Sequence, residues 1–345
     1  MTTLAAVDCG TNSLRLLISR VEVVDGVLEI TELHRLMEIV RLGQGVDATG
    51  MLAPEALERV REALTKYVEL MQVEKVQAVR MVATSATRDA SNRDDFFAMT
   101  REILAPWGAE AEVISGDEEA ALSFRGAVDD LEPELGPYCV IDVGGGSTEV
   151  IVGDHDGTVA GSDSVAMGSV RLTERFLQAS PPTAEQVQEA RSYVAELTDE
   201  IVAKVPVDKA RTIVGCAGTF TTLSALAQGL ETYDPEAIHL SQLRFAALRA
   251  LTASVVETDA ESLAANPVMH PKRADVFAGG SIIVDGLMDM FEALPLSEAA
   301  KEGQRFFYIS EKDILDGIVA SLVDTHIDYQ SFLGPLYPNW QRQRT

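Results

Sequence analysis

Two short stretches of this sequence share a pattern that suits anion chemistry. Asp8-Cys9-Gly10-Thr11-Asn12-Ser13 and Asp142-Val143-Gly144-Gly145-Gly146-Ser147 each follow an apolar run. Each places a glycine two residues after an aspartate and a serine three residues after that glycine. Glycine lets the chain turn sharply and present consecutive N–H groups to an anion, and the hydroxyls add donors. An aspartate cannot itself favour phosphate, so its expected part is to hold a divalent cation or a water on one. A single Asp-Gly turn would read as an ordinary hairpin, but two matched turns, each behind a strand, point to a phosphate held between them. Neither is a P-loop, because Gly-x4-Gly-Lys-Ser/Thr is absent, nor a dinucleotide fingerprint, because Gly144-Gly145-Gly146 leads into a strand rather than a helix.

Other residues could complete such a site. Gly215-Cys216-Ala217-Gly218-Thr219 lies between a strand and a helix, whose N-terminus attracts anions, although Thr219 could simply cap the helix. Ser115-Gly116-Asp117-Glu118-Glu119-Ala120 opens a helix. Acidic residues there serve capping, but one that faces a cleft can activate water, and the pattern leaves Glu118 and Glu119 open. Arg88, Arg171 and Arg273 each adjoin a turn with small or hydroxyl neighbours, which suits guanidinium clamps on phosphate. The five histidines have no HxH or HExxH spacing, so zinc hydrolysis has no support, and no Gly-x-Ser-x-Gly elbow occurs.

The elements that must position these residues alternate between strand and helix. Leu4 to Val7, Leu14 to Val24, Ile30 to Val40 and Val76 to Ala83 read as strands, with Glu112 to Ile114 as a shorter one. Pro54 to Gln72 has helical periodicity, with Leu57, Val60, Leu64, Val68 and Met71 on one face. Asp94 to Leu104 and Asp117 to Val128 follow as helices. A near repeat then begins, with strands at Tyr138 to Ile141, Glu149 to Gly153 and Thr212 to Val214. Helices are expected over Thr183 to Val205, Phe220 to Gln228, Leu243 to Val255, Asp275 to Phe291 and Lys312 to Val323, with a strand at Phe306 to Ile309 and an extended tail at the end. A chain of 345 residues suggests two domains, and 46% hydrophobic residues supplies a core for both. The absence of a polar linker implies close packing around a cleft.

The net charge of −26 argues against nucleic acid as a partner, and no apolar run is long enough to span a membrane. A polyanionic substrate would therefore need a local electropositive island of N–H groups, arginines and a bound cation. The N-terminus enters a strand without a basic leader, and Cys9, Cys139 and Cys216 lie far apart, which suits a cytoplasmic protein with reduced thiols.

Together these motifs resemble the exopolyphosphatase/guanosine pentaphosphatase (Ppx/GppA) family, over about residues 4 to 322. Ala6 to Ser13 and Ile141 to Glu149 resemble its two phosphate loops, Val82 to Asn92 its arginine segment, and Met167-Gly168-Ser169-Val170-Arg171-Leu172-Thr173 the segment after the next strand. Ile114 to Ala120 resembles its general-base motif, in which the Glu directly before Ala is catalytic, favouring Glu119. Arg273-Ala274-Asp275 with Gly279 resembles a late Arg-Ala-Asp motif. Cys9 stands where the family often has Leu or Ile, and the extra C-terminal helices of longer members are not in this sequence. The resemblance implies an α/β fold of the duplicated actin-like (ribonuclease H-like) kind, with two lobes built on mixed sheets. The expected division is 1–125 plus about 311–325 for one lobe, 126–310 for the other, and 326–345 as a tail. It implies Glu119, Arg88 and Asp142 as catalytic residues. Phosphate would lie against Asn12, Ser13, Arg15, Gly144, Gly145, Gly146, Ser147, Arg171, Gly218, Thr219 and Arg273. Asp142, Glu149 and Asp8 would hold Mg²⁺, with a monovalent cation such as K⁺ as a further possibility. The implied substrate is inorganic polyphosphate, or pppGpp converted to ppGpp by the same site, and the implied assembly a homodimer. A non-catalytic polyphosphate or nucleotide sensor would bind without releasing phosphate. A sugar kinase of the same superfamily is disfavoured by the motifs and the chain length.

Overall fold

The computed structural model describes residues 1–24, 27–294 and 305–326. The expected tail over 326–345 lies outside them, apart from residue 326. The chain begins with strands β1 (Thr2–Cys9), β2 (Ser13–Val24) and β3 (Val27–Ile39), then helices α1 (Val46–Thr49) and α2 (Pro54–Val73). Strand β4 (Ala78–Ala83), helices α3 (Ser85–Asp89) and α4 (Arg93–Ile103), strand β5 (Ala111–Val113) and helix α5 (Gly116–Val128) complete the first half. The second half has β6 (Tyr138–Val143), β7 (Thr148–Gly153), β8 (Val159–Val165), α6 (Ser169–Phe176), α7 (Ala184–Lys204), β9 (Thr212–Cys216), α8 (Ala217–Ala227) and α9 (Pro235–Ile238). It ends with β10 (Gln242–Arg244), α10 (Phe245–Val256), α11 (Ala260–Ala264), α12 (Ala274–Ala293), β11 (Phe306–Ile309) and a closing helix, Ile314–His326.

The first sheet has the order β3-β2-β1-β4-β5 and the second β10-β11-β9-β6-β7-β8. In both, the first three strands form an antiparallel meander, and the strand after it joins parallel beside the first. The near repeat in the sequence is thus a repeat of topology. It is the duplicated, actin-like α/β arrangement that the motifs implied.

The period-two alternation of a strand decides where the chemistry points. In β1, Ala5, Val7 and Cys9 face the core built with α2 and α4, while Leu4 and Ala6 face the closing helix. Asp8 shares the latter face. In β6, Cys139, Ile141 and Val143 face the core shared with α7, α8, α10 and α12, while Tyr138 and Val140 face α5. Asp142 lies on that α5 face, and Glu149 sits directly opposite it in β7. The chain therefore crosses over. The helix that ends the first half packs on the second sheet, and the helix that ends the second half packs on the first.

These two helices meet at glycines. A Cβ on Gly126 would lie 1.9 Å from the Asp313 carbonyl oxygen, and one on Gly317 would lie 2.1 Å from that of Leu122. Only residues without side chains permit this backbone contact.

Some local expectations needed correction. The segment after β4, for which no element was expected, is a short helix, α3. Helix α8 begins at Ala217, so Thr219 lies in its first turn and Cys216 occupies the cap position. Gln242–Arg244 pairs with β11 before α10 starts, because Leu243 can be buried there as a strand residue.

Candidate functional site

The two matched loops face each other at the C-terminal ends of β1 and β6. Each closes with the same hydrogen bond, Gly10 N–H to Ser13 O and Gly144 N–H to Ser147 O, both 3.0 Å. They touch: a Cβ on Gly145 would meet Thr11 Cβ at 3.1 Å and Asn12 N at 3.3 Å, and one on Gly146 would meet Thr11 Oγ1 at 2.5 Å. Around them opens a cleft of about 770 Å³, open solvent at its mouth included. The loops supply Gly10 to Ser13 and Gly144 to Ser147, and α8 supplies Gly218 and Thr219. Asp8, Arg15, Glu119, Asp142 and Arg273 add charge to its wall.

The loops' carbonyls are held from behind. Gly144 O accepts from Ser169 N–H (3.0 Å), and Gly145 O accepts from Val170 and Arg171 N–H (2.9 and 3.1 Å). These donors belong to the first turn of α6, where helical N–H groups have no partner within the helix. In the first loop the turn segment after β3 does the same work. Gly43 N–H donates to Thr11 O (2.8 Å), and Val40 and Arg41 N–H donate to Asn12 O (3.0 and 2.9 Å). The carbonyl and N–H of a planar trans peptide point in opposite directions. Fixing each carbonyl behind the loop therefore turns the following N–H toward the front. Among the described residues, the N–H groups of Thr11, Asn12, Gly145, Gly146 and Ser147 donate to no protein acceptor. Those donors form an anion cradle.

The cations differ in their freedom. Arg15 Nε and Nη2 donate to Asp8 Oδ2 (3.0 and 2.7 Å), and Nη1 pairs with Asp313. Arg273 lies against Gly218 so closely that a Cβ there would be 1.8 Å from Nη1. No hydrogen bond or ion pair to a described residue engages its guanidinium. Burial, with Arg15 nearby, lowers its pKa from the usual arginine value. A poorly solvated, unpaired guanidinium beside the N-terminus of α8 is a strong anion anchor.

Between α5 and the second sheet the charge is negative. Glu119 is 8% exposed, and Arg88 Nη1 bridges its Oε2 (3.1 Å) and the Ile114 carbonyl (2.9 Å). Burial and then the neighbouring Glu149 push the Glu119 carboxyl well above the ordinary carboxylate range, against the pull of Arg88. Asp142 accepts from Ser123 Oγ (2.9 Å), and burial together with Glu149 and Asp313 pushes it up to about 7. Glu149 accepts from Ser164 Oγ (2.7 Å), and burial raises its pKa too. Asp8 is raised by burial, with Arg15 opposing, and its Oδ1 is buried without a partner.

These groups fit a divalent cation in one place. Asp142 and Glu149 are cross-strand neighbours on β6 and β7, and the repulsion between them is one that a hard metal ion relieves. Magnesium commonly takes one or two carboxylates and completes its shell with water and phosphate oxygens. Among the described residues no group of three or more His, Cys, Asp or Glu forms a complete cage.

The fold thus brings most of the expected residues to one cleft. Arg88 touches the cleft through Glu119, and Glu149 stands behind Asp142. Arg171 does not line the cleft. Its fork meets Gly146 O, Asp47, Asp89 and Ser85 instead. The sequence reading missed Asp313, whose place before a helix resembles an ordinary cap, and Ser123. Ser123 lies four residues after Glu119 on α5, a spacing that could have revealed it.

The model of the Ppx/GppA phosphatase family matches residues 18–306. The chain belongs to this family. It is 51% identical over 324 residues to Exopolyphosphatase 2 of Mycobacterium tuberculosis, covering 93% of this chain and 99% of that protein. It is 32% identical to the guanosine-5'-triphosphate,3'-diphosphate pyrophosphatase of Vibrio cholerae, over 87% of this chain and 56% of that one. The crystal structure of an exopolyphosphatase-like protein superposes with a TM-score of 0.84 at 38% identity, covering 94% of this chain and 99% of the other. The Ppx/GppA family member of Aquifex aeolicus gives 0.74 at 28%, covering 94% and 98%. No helix among the described residues is long and apolar enough to cross a membrane.

Proposed function

We propose that this member of the Ppx/GppA phosphatase family is an exopolyphosphatase that releases terminal orthophosphate from inorganic polyphosphate by attack of water. One observation carries the reading. Two loops with unpartnered N–H groups meet at a cleft whose lining also includes the buried Glu119 and Arg273, which pairs with no other described residue.

The terminal phosphoryl group lies between the loops. Gly145, Gly146 and Ser147 N–H hold it from one side, and Thr11 and Asn12 N–H from the other. Arg273 and the N–H groups of Gly218 and Thr219 neutralise its outer oxygens. Glu119, at the cleft wall, takes the proton of the attacking water as general base. Arg88 fixes the direction of that carboxylate. Asp142 and Glu149 would hold Mg²⁺, which when bound supplies positive charge to the phosphate oxygens. The remaining catalysis is placement of the in-line reactants and stabilisation of spreading negative charge. The two sheets, with the crossed helices between them, serve as the two lobes, in a cytoplasmic protein.

Phosphate release from inorganic polyphosphate and from pppGpp, each with and without Mg²⁺, tests the reading. Faster Mg²⁺-dependent release from polyphosphate supports it. Preference for pppGpp would reassign the substrate, and binding without release would make the protein a sensor.

A further inference from the structure

Arg171 links the second loop to the first half of the molecule. Its Nε donates to the Gly146 carbonyl at 2.8 Å. Nη1 pairs with Asp47, and Nη2 donates to Asp89 at 2.6 Å and to Ser85 Oγ at 3.3 Å. The side chain is 15% exposed. Gly146 and Arg171 belong to the second half, whereas Asp47, Ser85 and Asp89 belong to the first. A fork whose donors end on a carbonyl, a hydroxyl and two carboxylates has no edge left for phosphate.

The bond to Gly146 has a consequence inside the cleft. Gly144 and Gly145 have their carbonyls held by backbone N–H groups of α6, but Gly146 O accepts from the Arg171 side chain. That carbonyl shares its peptide plane with Ser147 N–H, so holding one aims the other. Ser147 lines the cleft, while Arg171 stands behind the loop with Asp47 and Asp89.

We propose that Arg171 is a positioning residue. It aims the Ser147 N–H at the terminal phosphate and ties the second phosphate loop to the first half of the molecule, with Asp89 as its counterweight. This rests on the phosphatase reading above. Misaligned donors cost more where charge spreads than in the bound ground state, so the loss belongs mainly to kcat.

The test uses R171K, D89N and the double variant in the full-length protein, with steady-state phosphate release and thermal midpoints for each. R171K should lower kcat roughly 10-fold while KM rises less than about 3-fold, as expected when a reacting group is displaced slightly. D89N should also lower kcat, and the double variant should cost little more than R171K alone, because the two residues act as one unit. A direct phosphate clamp predicts the reverse for D89N. Freeing the fork from its carboxylate would lower KM or raise turnover, and that result would overturn the proposal. Wild-type turnover in R171K would overturn it as well. Should R171K not fold, the direction of the D89N effect decides. Wild-type protein that releases no phosphate would sink the phosphatase reading instead. The clasp is then judged by whether R171K and D89N lower the thermal midpoint without additivity, and additive losses would count against it.

Discussion

The two phosphate loops have the same turn and the same backing of their carbonyls, yet their aspartates live in different electrostatic surroundings. Asp8 faces the closing helix, and Arg15 stands between it and Asp313 as a shared cation. Asp142 faces α5, where its neighbours are the Ser123 hydroxyl and two more carboxylates, Glu149 and Glu119. Arg15 pairs directly with the aspartate of the first loop. Around the second, Arg88 meets Glu119 and Arg15 acts on Asp142 without a direct bond, so three buried carboxylates outnumber their cations, which is costly unless a further cation or a proton arrives. The two loops thus share a turn, and the helix that crosses to each sets its electrostatic surroundings.

The sharpest way to break this asymmetry is at Glu119, which has no free equivalent beside the first loop. E119Q keeps the shape and removes the base, so kcat should fall roughly 10²- to 10⁴-fold, the usual range for a general base. Single-turnover phosphate release would check it, and near-normal turnover would move the water-activating role elsewhere.

The two aspartates can then be compared directly. D142N removes one of two facing carboxylates, so the Mg²⁺ concentration for half-maximal activity should rise about tenfold or more, in line with loss of a ligand from a two-carboxylate site. D8N should barely shift that concentration but should destabilise the fold by roughly 1–3 kcal/mol, because it leaves a buried cation less compensated. Metal titrations and urea melts of both variants separate the two outcomes. A large metal shift in D8N would show that its unpartnered Oδ1 is a ligand after all.

Much of this site was legible in the sequence because its signals are local. An Asp-x-Gly turn behind an apolar run, a glutamate in the first turn of a helix, and small residues at a strand end can each be read within ten residues. What was not legible depends on distance. Asp313 meets Arg15 across 298 positions, and Arg171 meets Asp47 across 124. Nothing near Arg171 in the chain distinguishes a phosphate clamp from a clasp, since both need a guanidinium beside small residues. The fold was legible at the level of the repeat, and the resemblance placed residues 311–325 with the first half, but the packing of α5 on the second sheet had no signal in the sequence. The faces of α5 and the closing helix are apolar in either arrangement, and only Gly126 and Gly317 hint at a close crossing.

That crossing offers a smaller perturbation, since it joins the two loops without touching either. In G126A a new methyl would collide with the Asp313 carbonyl, and in G317A with that of Leu122. Each should cost about 1–3 kcal/mol, as overpacking does, and a urea melt would measure it. Because Asp313 carries the Arg15 bridge, G126A should disturb the first loop more than the second. Metal dependence should then change less than stability does.

The smallest expected effect separates these loops from the third turn. Ala217 has φ 66°, a left-handed conformation that no residue of the two loops adopts. An alanine there carries about 1–2 kcal/mol of strain, and glycine would not. Glycine also loses more chain entropy on folding, about 0.4–1 kcal/mol, so the two effects partly cancel. A217G should therefore raise stability by no more than about 1.6 kcal/mol. Strain kept at a helix N-terminus beside Arg273 is consistent with a turn whose shape is fixed by its neighbours rather than by its own preference. If A217G instead lowered the urea midpoint, the methyl group would have to contribute packing that outweighs its strain, and the turn would owe its shape to Ala217 itself.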